Sequence, residues 1–205
     1  MAFERIGYGQ VEPNQLSAQK TGQIYASLPL DANVSVLQNG EFMYYDYATG
    51  KVTAGDGNTV GEPMLVFNEI KLYEPFWQTS YKDFAMIRVG DNYVTSRLAT
   101  AAYGENSDKQ QAATINPAHT EYGYRMDGIA PRLMKTNIGD IYITNMVKTG
   151  TDVTYAAGDV LKLKKTDRNT LELDKDGDID TVQFVVAKVY TMPDGQAGLK
   201  LQRVK

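Results

Sequence analysis

The sequence contains no cysteine and only one histidine among its 205 residues. Without cysteine, the chain cannot form disulfides, thiolate metal sites or a cysteine nucleophile. Zinc sites, hydrolytic triads and proton relays usually depend on histidine. The one histidine, His119, lies in a polar stretch with no nucleophile motif beside it, which is more typical of a surface residue than of a catalyst. We therefore expect no cofactor and no catalysis.

Long apolar runs and a basic surplus are also missing. No stretch approaches the roughly 20 apolar residues that cross a bilayer, and residues 1–5 do not lead into the apolar run of a secretory signal. The formal net charge is −4, whereas general nucleic-acid binders usually carry a basic surplus. We therefore expect a soluble protein that is made in a cytoplasm, with neither nucleic acid nor a membrane as its partner.

Motifs for phosphate binding and sugar cleavage are absent or weak. The chain has no G-x-x-x-x-G-K-[ST] loop. Glycoside hydrolysis needs only two carboxylates, so composition leaves it open, but Glu62, Glu69 and Glu74 stand in no distinctive context. Trp77 could stack on a sugar, although such an aromatic residue more often covers the edge of a core. A carboxylate hydrolase is therefore the weakest of the functional hypotheses.

Tyrosine and short β-type segments are abundant. The chain has 14 tyrosines against 6 phenylalanines and 1 tryptophan, and tyrosine is typical of half-buried strands and of protein interfaces. Short apolar-alternating runs, such as residues 160–164 and 181–190, are separated by Gly, Asn and Asp turns. This pattern predicts an all-β protein, an antiparallel sandwich or one or more small barrels, with an extended N-terminal arm.

Two hairpins are predicted from their turns. Asn39-Gly40 lies between residues 34–37 and 41–47, and both residue types tolerate the positive φ of a tight hairpin turn. Near the C-terminus, a Pro-Asp-Gly turn separates residues 181–190 from residues 199–204. In this second hairpin we expect three apolar side chains to be buried: Leu199, Leu201 and Val204.

Residues 1–32 are polar and glycine-rich, with no sustained hydrophobic period. Such a segment cannot bury enough apolar surface to fold alone, so we interpret it as an extended arm, with a disordered tail as the alternative. Residues 33–205 form the predicted β-body, which could comprise sub-domains 33–103 and 127–205 joined by a polar loop at 104–126. The arm residues predicted to contact a partner are Tyr8, Val11, Leu16, Ile24 and Tyr25.

An acidic segment, DKDGDID, occupies residues 174–180. Its alternating carboxylates could collect Ca²⁺, which takes about six to eight oxygen ligands. The spacing does not fit an EF-hand loop, because the glycine falls at the fourth position and Val185 stands at the twelfth. We expect a solvated hairpin turn and no metal site here. The weak candidates for a metal ligand are Asp174, Asp176, Asp178 and Asp180.

Four short strings are distinctive: YGQVEPNQLSAQKTGQIYA at residues 8–26, GIAPR at 128–132, GDIYITN at 139–145 and VYTMPDGQ at 189–196. In these strings the chain resembles head-associated structural proteins of tailed bacteriophages. The resemblance implies a capsid decoration (cement) protein or a head-fibre base, with an extended arm that bridges neighbouring capsid subunits. A major capsid protein is disfavoured, because the long spine helix of that fold has no counterpart in this sequence.

The leading hypothesis is therefore a virion structural protein that binds and stabilises the phage capsid surface without catalysis. Its expected partners are the major capsid protein and neighbouring copies of itself, so that it is oligomeric on the capsid. It would be synthesised in the host cytoplasm and located in the virion. The alternative is a carbohydrate- or receptor-binding β-module, such as a head-fibre or tail component, which rests on Trp77 and the tyrosines.

Overall fold

β-strands dominate the part of the chain that the structure describes. The computed structural model describes residues 3–5, 9–34, 36–56, 59–68, 86–88, 130–193 and 195–205. The helix α1 spans Ser17–Thr21 and stops at Gly22, whose φ of 69° turns the chain out of the helix. No helix in these residues is long and apolar enough to cross a membrane. The strands are β1 (Val11–Gln15), β2 (Ile24–Tyr25), β3 (Val36–Gln38), β4 (Phe42–Asp46), β5 (Lys51–Thr53), β6 (Met64–Val66), β7 (Met86–Arg88), β8 (Leu133–Met134), β9 (Ile141–Thr144), β10 (Val160–Lys165), β11 (Leu171–Asp174), β12 (Ile179–Thr191) and β13 (Ala197–Arg203).

Eleven of these strands form one antiparallel sheet in the order β1-β9-β13-β12-β10-β11-β4-β6-β8-β2, with β5 paired to β4 beside this path. The sheet is curled into a half-barrel. Strands β3 and β7 form a separate two-stranded sheet. The predicted all-β fold class is confirmed.

The two ends of the sheet are brought together by the chain itself. Strands β1 and β2 lie at opposite ends of the strand order, yet only residues 16–23 connect them. Eight residues span at most about 30 Å when fully extended, and α1 shortens that reach. A second connection, residues 135–140, joins β8 to β9, each the neighbour of an end strand. The sheet must therefore curl until its ends approach each other. We call this region, residues 16–23 with residues 135–140, the seam.

The core is built from alternating side chains of strands that are distant in sequence. In β10, Leu161 and Leu163 are fully buried while Lys164 is exposed, as the two-residue period of a strand requires. The Phe184 ring of β12 lies 5.5 Å from the Phe42 ring of β4 and 5.6 Å from the Tyr142 ring of β9, measured between ring centroids. The two halves of the chain therefore share one core.

The C-terminal hairpin forms as predicted, with one exception. Strand β12 pairs with β13, and both Leu199 and Leu201 are fully buried. Val204 is 45% exposed, so the prediction that it is buried is wrong. The reason is the alternation of side chains, because Val204 follows Lys200 and Gln202 on the outward face of the strand. The pairing register also shifts between Val186 and Lys188, which marks a β-bulge.

The predicted hairpin at Asn39-Gly40 does not form. The chain does turn there, and Gly40 has a φ of 93°, but β3 pairs with β7, while β4 pairs with β5, β6 and β11. The Gly40 amide donates to the Val66 carbonyl of β6 at 2.9 Å, so a strand from further along the chain takes the place of the expected partner. The hairpin in this region is β4–β5, closed by residues 47–50.

The N-terminal segment is part of the body in the residues described. Strand β1 pairs with β9 and β2 pairs with β8, and Leu16 is only 2% exposed. Polar side chains of the body bind its backbone: Asn145 Oδ1 accepts from the Gln10 amide at 2.7 Å, and Thr144 Oγ1 donates to the Gln10 carbonyl at 2.6 Å. Sequence patterns do not reveal such long-range hydrogen bonds, which is why residues 1–32 suggested a separate arm.

The described parts of the two predicted sub-domains also share one sheet. Strands β4 and β6, from residues 33–103, lie between β11 and β8, from residues 127–205. The predicted polar loop at 104–126 lies outside the described residues. No boundary between sub-domains is visible in the strand pairing of the residues that are described.

Candidate functional site

The predicted contact residues of the N-terminal segment are largely used inside this chain. Leu16 is buried, and Val11 and Ile24 pack against the core. Tyr8 lies outside the described residues. Tyr25 is 37% exposed. Four of the five predicted contact residues are described, and Tyr25 is the one among them whose side chain is most open to a partner.

Tyr25 belongs to a row of three aromatic rings at the surface, which we call the tyrosine cluster: Tyr25, Tyr45 and Tyr47. The centroids of Tyr25 and Tyr45 lie 5.5 Å apart, and those of Tyr45 and Tyr47 lie 5.6 Å apart. Tyr45 is buried, whereas Tyr47 is 75% exposed. Tyr45 and Tyr47 are two positions apart along β4 and its end, so they lie on the same face.

The central ring of the tyrosine cluster is held in place by hydrogen bonds. The Tyr45 hydroxyl oxygen accepts from the backbone amides of Ser27 and Leu28 at 2.6 and 2.9 Å. These bonds also attach residues 27–28 to β4. The result is a fixed platform with two partly open rings beside it. Such a platform can pack against apolar protein surface or against the C–H face of a sugar.

A second surface feature, the basic cleft, has a volume of about 380 Å³. Two of its arginines form ion pairs: Arg5 Nη1 with Glu172 Oε1 at 3.3 Å, and Arg168 Nη2 with Glu41 Oε1 at 2.6 Å. The sequence analysis did not predict this cleft. Only the lysines at the end of β10, which are adjacent in sequence, could have indicated part of its lining. The lining residues are Arg5, Lys148, Thr149, Lys164, Lys165, Thr166, Asp167, Arg168, Glu172 and Asp174.

Glu41, the ion-pair partner of Arg168, is fully buried. Its carboxylate accepts from Arg168, from Thr170 Oγ1 at 2.9 Å and from the Gln38 amide at 2.7 Å. Burial raises the pKa of Glu41 to about 7, against the opposing effect of the Arg168 charge and these hydrogen bonds, with a further increase from nearby Glu172. A perturbed carboxylate is often functional. Glu41 has no open surface, however, so no substrate can reach it in this conformation.

The acidic segment at residues 174–180 is not the turn of a hairpin. Strands β11 and β12 both pair with β10, so the segment crosses from one side of β10 to the other. Gly177 passes so close to β10 that a Cβ there would lie 2.7 Å from the Lys162 carbonyl carbon. This close contact explains why residue 177 is a glycine. The strand pairing shows that the predicted hairpin turn is wrong.

The four candidate metal ligands face different partners. Asp174 is buried, and its carboxylate accepts from the Asp176 amide at 3.0 Å. Asp180 pairs with Lys205 at 3.2 Å, and the hydrogen bond from Lys205 lowers the pKa of Asp180. Asp176 and Asp178 are exposed. Across the described residues, no group of three or more acidic or histidine side chains is arranged to hold a metal ion.

The residues considered for hydrolysis are only partly described. Glu62 forms an ion pair with the Arg203 guanidinium, which also donates to the Thr136 carbonyl. This carboxylate therefore holds the end of β13 in place. The other residues weighed for sugar binding or catalysis lie outside the described residues: Glu69, Glu74, Trp77 and His119.

Comparisons of the chain with protein-family models, with curated proteins and with solved structures found no match.

Proposed function

We propose that this protein acts by binding, as a structural protein of a tailed-phage head that attaches to the capsid surface and stabilises it. Its partners in this proposal are the major capsid protein and neighbouring copies of itself. The observation that carries the proposal is the tyrosine cluster, which presents the partly open rings of Tyr25 and Tyr47 beside the fixed ring of Tyr45. The resemblance of the short strings to phage head proteins supplies the identity of the partner.

The chemistry of tyrosine supports a binding role. A tyrosine ring buries a large apolar area at a low cost in side-chain entropy, and its hydroxyl group can pair with polar groups at the rim of an interface. Two open rings on either side of Tyr45 thus provide the kind of aromatic centre on which protein contacts are built. In addition, the buried carboxylates Glu41 and Asp174 are committed to internal hydrogen bonds, which favours a structural over a catalytic role for them.

The first test is whether phage particles contain this protein, and in how many copies. Particles of the phage that encodes this chain would be purified and analysed by mass spectrometry. A decoration protein is expected in roughly hundreds of copies per particle, and a fibre or tail-tip protein in far fewer, because of the symmetries of head and tail. If the protein is absent from purified particles, the proposal is wrong.

The second test addresses the tyrosine cluster. The double variant Tyr25→Ala/Tyr47→Ala is expected to bind particles lacking the protein at least about tenfold more weakly than the unaltered chain, because it removes the two open rings. The matched control is Val60→Ala/Ile138→Ala, which removes two exposed apolar side chains elsewhere. Equal binding by the two double variants would show that the tyrosine cluster is not the contact surface.

The same rings support a second candidate function, that of a carbohydrate- or receptor-binding module such as a head-fibre or tail component. Aromatic rings at a surface can stack on the C–H faces of sugars. A glycan array probed with the purified protein distinguishes the two functions. Selective glycan binding that disappears in Tyr25→Ala/Tyr47→Ala would favour the second candidate, whereas particle binding without glycan binding would favour the first.

A further inference from the structure

The first residues that the structure describes, 3–5, lie in a groove formed by residues far along the chain. We call Phe3-Glu4-Arg5 the N-terminal tripeptide, and the tripeptide groove comprises residues 147–155 and Glu172. The Phe3 amide donates to the Val153 carbonyl at 2.9 Å, and the Gly150 amide donates to the Phe3 carbonyl at 3.3 Å. Phe3 and Gly150 form an isolated antiparallel bridge outside the named strands. The backbone of the tripeptide is therefore docked by a single bridge and not by a strand ladder.

Two side chains of the N-terminal tripeptide fill the groove. The Phe3 ring is only 4% exposed and packs edge-to-face against Tyr155, with the ring centroids 5.2 Å apart. Two positions further along, Arg5 Nη1 donates to Glu172 Oε1 at 3.3 Å, and both side chains are largely buried. Glu4, between them, is exposed. The groove thus recognises an aromatic ring and a guanidinium group two residues apart.

The tripeptide groove is held together by contacts that do not involve the N-terminal tripeptide. The Tyr155 hydroxyl donates to the Lys148 carbonyl at 2.8 Å, and the Lys175 ammonium lies 5.2 Å from the centroid of the Tyr155 ring. The Lys148 amide donates to the Leu173 carbonyl of β11 at 2.9 Å. The groove should therefore keep its shape when the tripeptide leaves, and it then presents an apolar pocket beside the carboxylate of Glu172.

We propose that the tripeptide groove is a peptide-binding site that takes the N-terminal tripeptide of a second copy of this chain, recognised through Phe3 and Arg5. Every copy carries both the tripeptide and the groove, so the contact can form between copies through the same atoms that form it within one chain. The contact is head-to-tail, because a copy can receive a tripeptide from one neighbour and give its own to another.

Concentration decides between the two forms of this contact. A chain's own tripeptide is tethered, which gives it an effective concentration on the order of millimolar for a short linker. Copies fixed side by side on one surface compete on similar terms. The inference supplies a contact between neighbouring copies and rests in that respect on the proposed function. Its tests use no phage particle, so its failure is distinguishable from a failure of capsid binding.

The first experiment measures whether the groove binds the tripeptide in trans. A labelled synthetic peptide with the sequence MAFERIG, residues 1–7, is titrated by fluorescence anisotropy with the full chain carrying Phe3→Ala/Arg5→Ala, whose own tripeptide competes poorly. We expect saturable binding with a Kd of roughly 0.1–1 mM. The unaltered chain, whose own tripeptide fills the groove, should bind the peptide at least about fivefold more weakly.

The matched control is a peptide in which both recognised side chains are alanine, MAAEAIG. It should bind at least about tenfold more weakly than the first peptide. Adding Glu172→Gln to the Phe3→Ala/Arg5→Ala chain should weaken binding of the first peptide about threefold or more, because the partner of the guanidinium loses its charge. The proposal is wrong if no saturable binding occurs or if the two peptides bind equally.

The second experiment measures exchange between whole chains and keeps both recognised side chains. The bridge between Phe3 and Gly150 places Glu4 opposite Thr149, at a separation that suits a disulfide, and the chain has no cysteine that would interfere. A tagged Glu4→Cys chain and an untagged Thr149→Cys chain are mixed at about 1 mM each, incubated and oxidised. A non-reducing gel then resolves the mixed dimers by size.

The matched control replaces Thr149→Cys with Thr181→Cys, which puts the thiol at an exposed position elsewhere. We expect at least about fivefold more mixed dimer with Thr149→Cys, because docking holds the two thiols together. This excess should disappear when Phe3→Ala/Arg5→Ala is added to the Glu4→Cys chain. Equal yields with Thr149→Cys and Thr181→Cys would overturn the proposal, even if the synthetic peptide binds.

Discussion

Two junctions hold the curled sheet together, and they use different chemistry. At the seam, Asp140 accepts from the Ser17 amide and hydroxyl at 3.2 and 3.0 Å and from the Asn137 amide at 2.8 Å. At the junction of β4 with β11, the ladder contains one residue pair, Leu171 with Phe42. Beside it, the buried Glu41 forms an ion pair with Arg168, whose side chain is 29% exposed.

Both carboxylates are buried, and they differ in the groups that donate hydrogen bonds to them. Asp140 is 6% exposed and accepts from two backbone amides and a hydroxyl group, all of them uncharged donors. Glu41 is fully buried and depends on a charged partner. Burial of a charge is costly unless the charge is paired. The β4–β11 junction should therefore be sensitive to pH and to the loss of one partner, whereas the seam should depend on hydrogen-bond geometry.

The largest expected effect comes from breaking the ion pair of the buried Glu41 with Arg168. Arg168→Met leaves Glu41 buried without its cation, which should lower the free energy of unfolding by about 3 kcal/mol at pH 8.5. At pH 5 the loss should be much smaller, because Glu41 is then neutral. Urea unfolding at the two pH values measures both. A cost that is the same at pH 5 and pH 8.5 would show that the Glu41 charge is not what Arg168 stabilises.

The pH dependence of the unaltered protein is the next expected effect. The pKa of Glu41 is raised from 4.5 to about 7, so its contribution to stability is fully present below pH 4.5 and is lost as pH rises through 7. The resulting difference in the free energy of unfolding between low and high pH is on the order of 3 kcal/mol. Part of this difference falls between pH 5 and pH 8. Glu41→Gln should remove this part of the slope, as measured by urea unfolding across that range. An unchanged slope in the variant would assign the dependence to other groups.

A smaller effect is expected at the seam. Asp140→Ala removes the carboxylate that accepts three hydrogen bonds from Ser17 and Asn137. We expect a loss of about 2 kcal/mol of unfolding free energy, since some of the released donors can reach water. Asp140→Asn is the matched control, because it keeps the shape and one acceptor oxygen, and should cost less. A loss for Asp140→Ala below roughly 0.5 kcal/mol would mean that strand pairing alone holds the ends of the sheet together.

The smallest expected effect has the opposite sign. Tyr142 is fully buried in β9, and among the described residues its hydroxyl group has no hydrogen-bond partner. Tyr142→Phe removes this unsatisfied group while keeping the ring against Phe184, and should raise the free energy of unfolding by up to about 1 kcal/mol. Thermal melting of the variant measures the change. Destabilisation would reveal a partner for this hydroxyl group.

Local patterns predicted several elements with little error. The alternation at residues 160–164 falls within β10, and the run at residues 181–190 falls within β12. The C-terminal hairpin was also predictable, because its two strands are adjacent in the chain and a Pro-Asp-Gly turn joins them. The error at Val204 came from ignoring the alternation beyond Gln202.

Predictions that depended on distant partners fared less well. The Asn39-Gly40 signal is local, and the turn does occur, but β6 competes for β4 from more than 20 residues along the chain. In the tyrosine cluster, Tyr25 stood out as a candidate contact, whereas its neighbours Tyr45 and Tyr47 could not be placed beside it from sequence. The basic cleft is harder still, because Arg5 and Lys148 are far from β10 in sequence.

The sequence by itself determined the all-β class, most strand positions and which side chains of a strand share a face, because these follow from a two-residue period and from local turn chemistry. Only the tertiary structure decided which strands are neighbours, that the N-terminal segment lies at both ends of the sheet, and that Glu41 is buried beside Arg168. Many apolar strands of similar length could pair with one another. Which strands pair is decided by the shared core and by long-range hydrogen bonds. Neither can be predicted from a local sequence pattern.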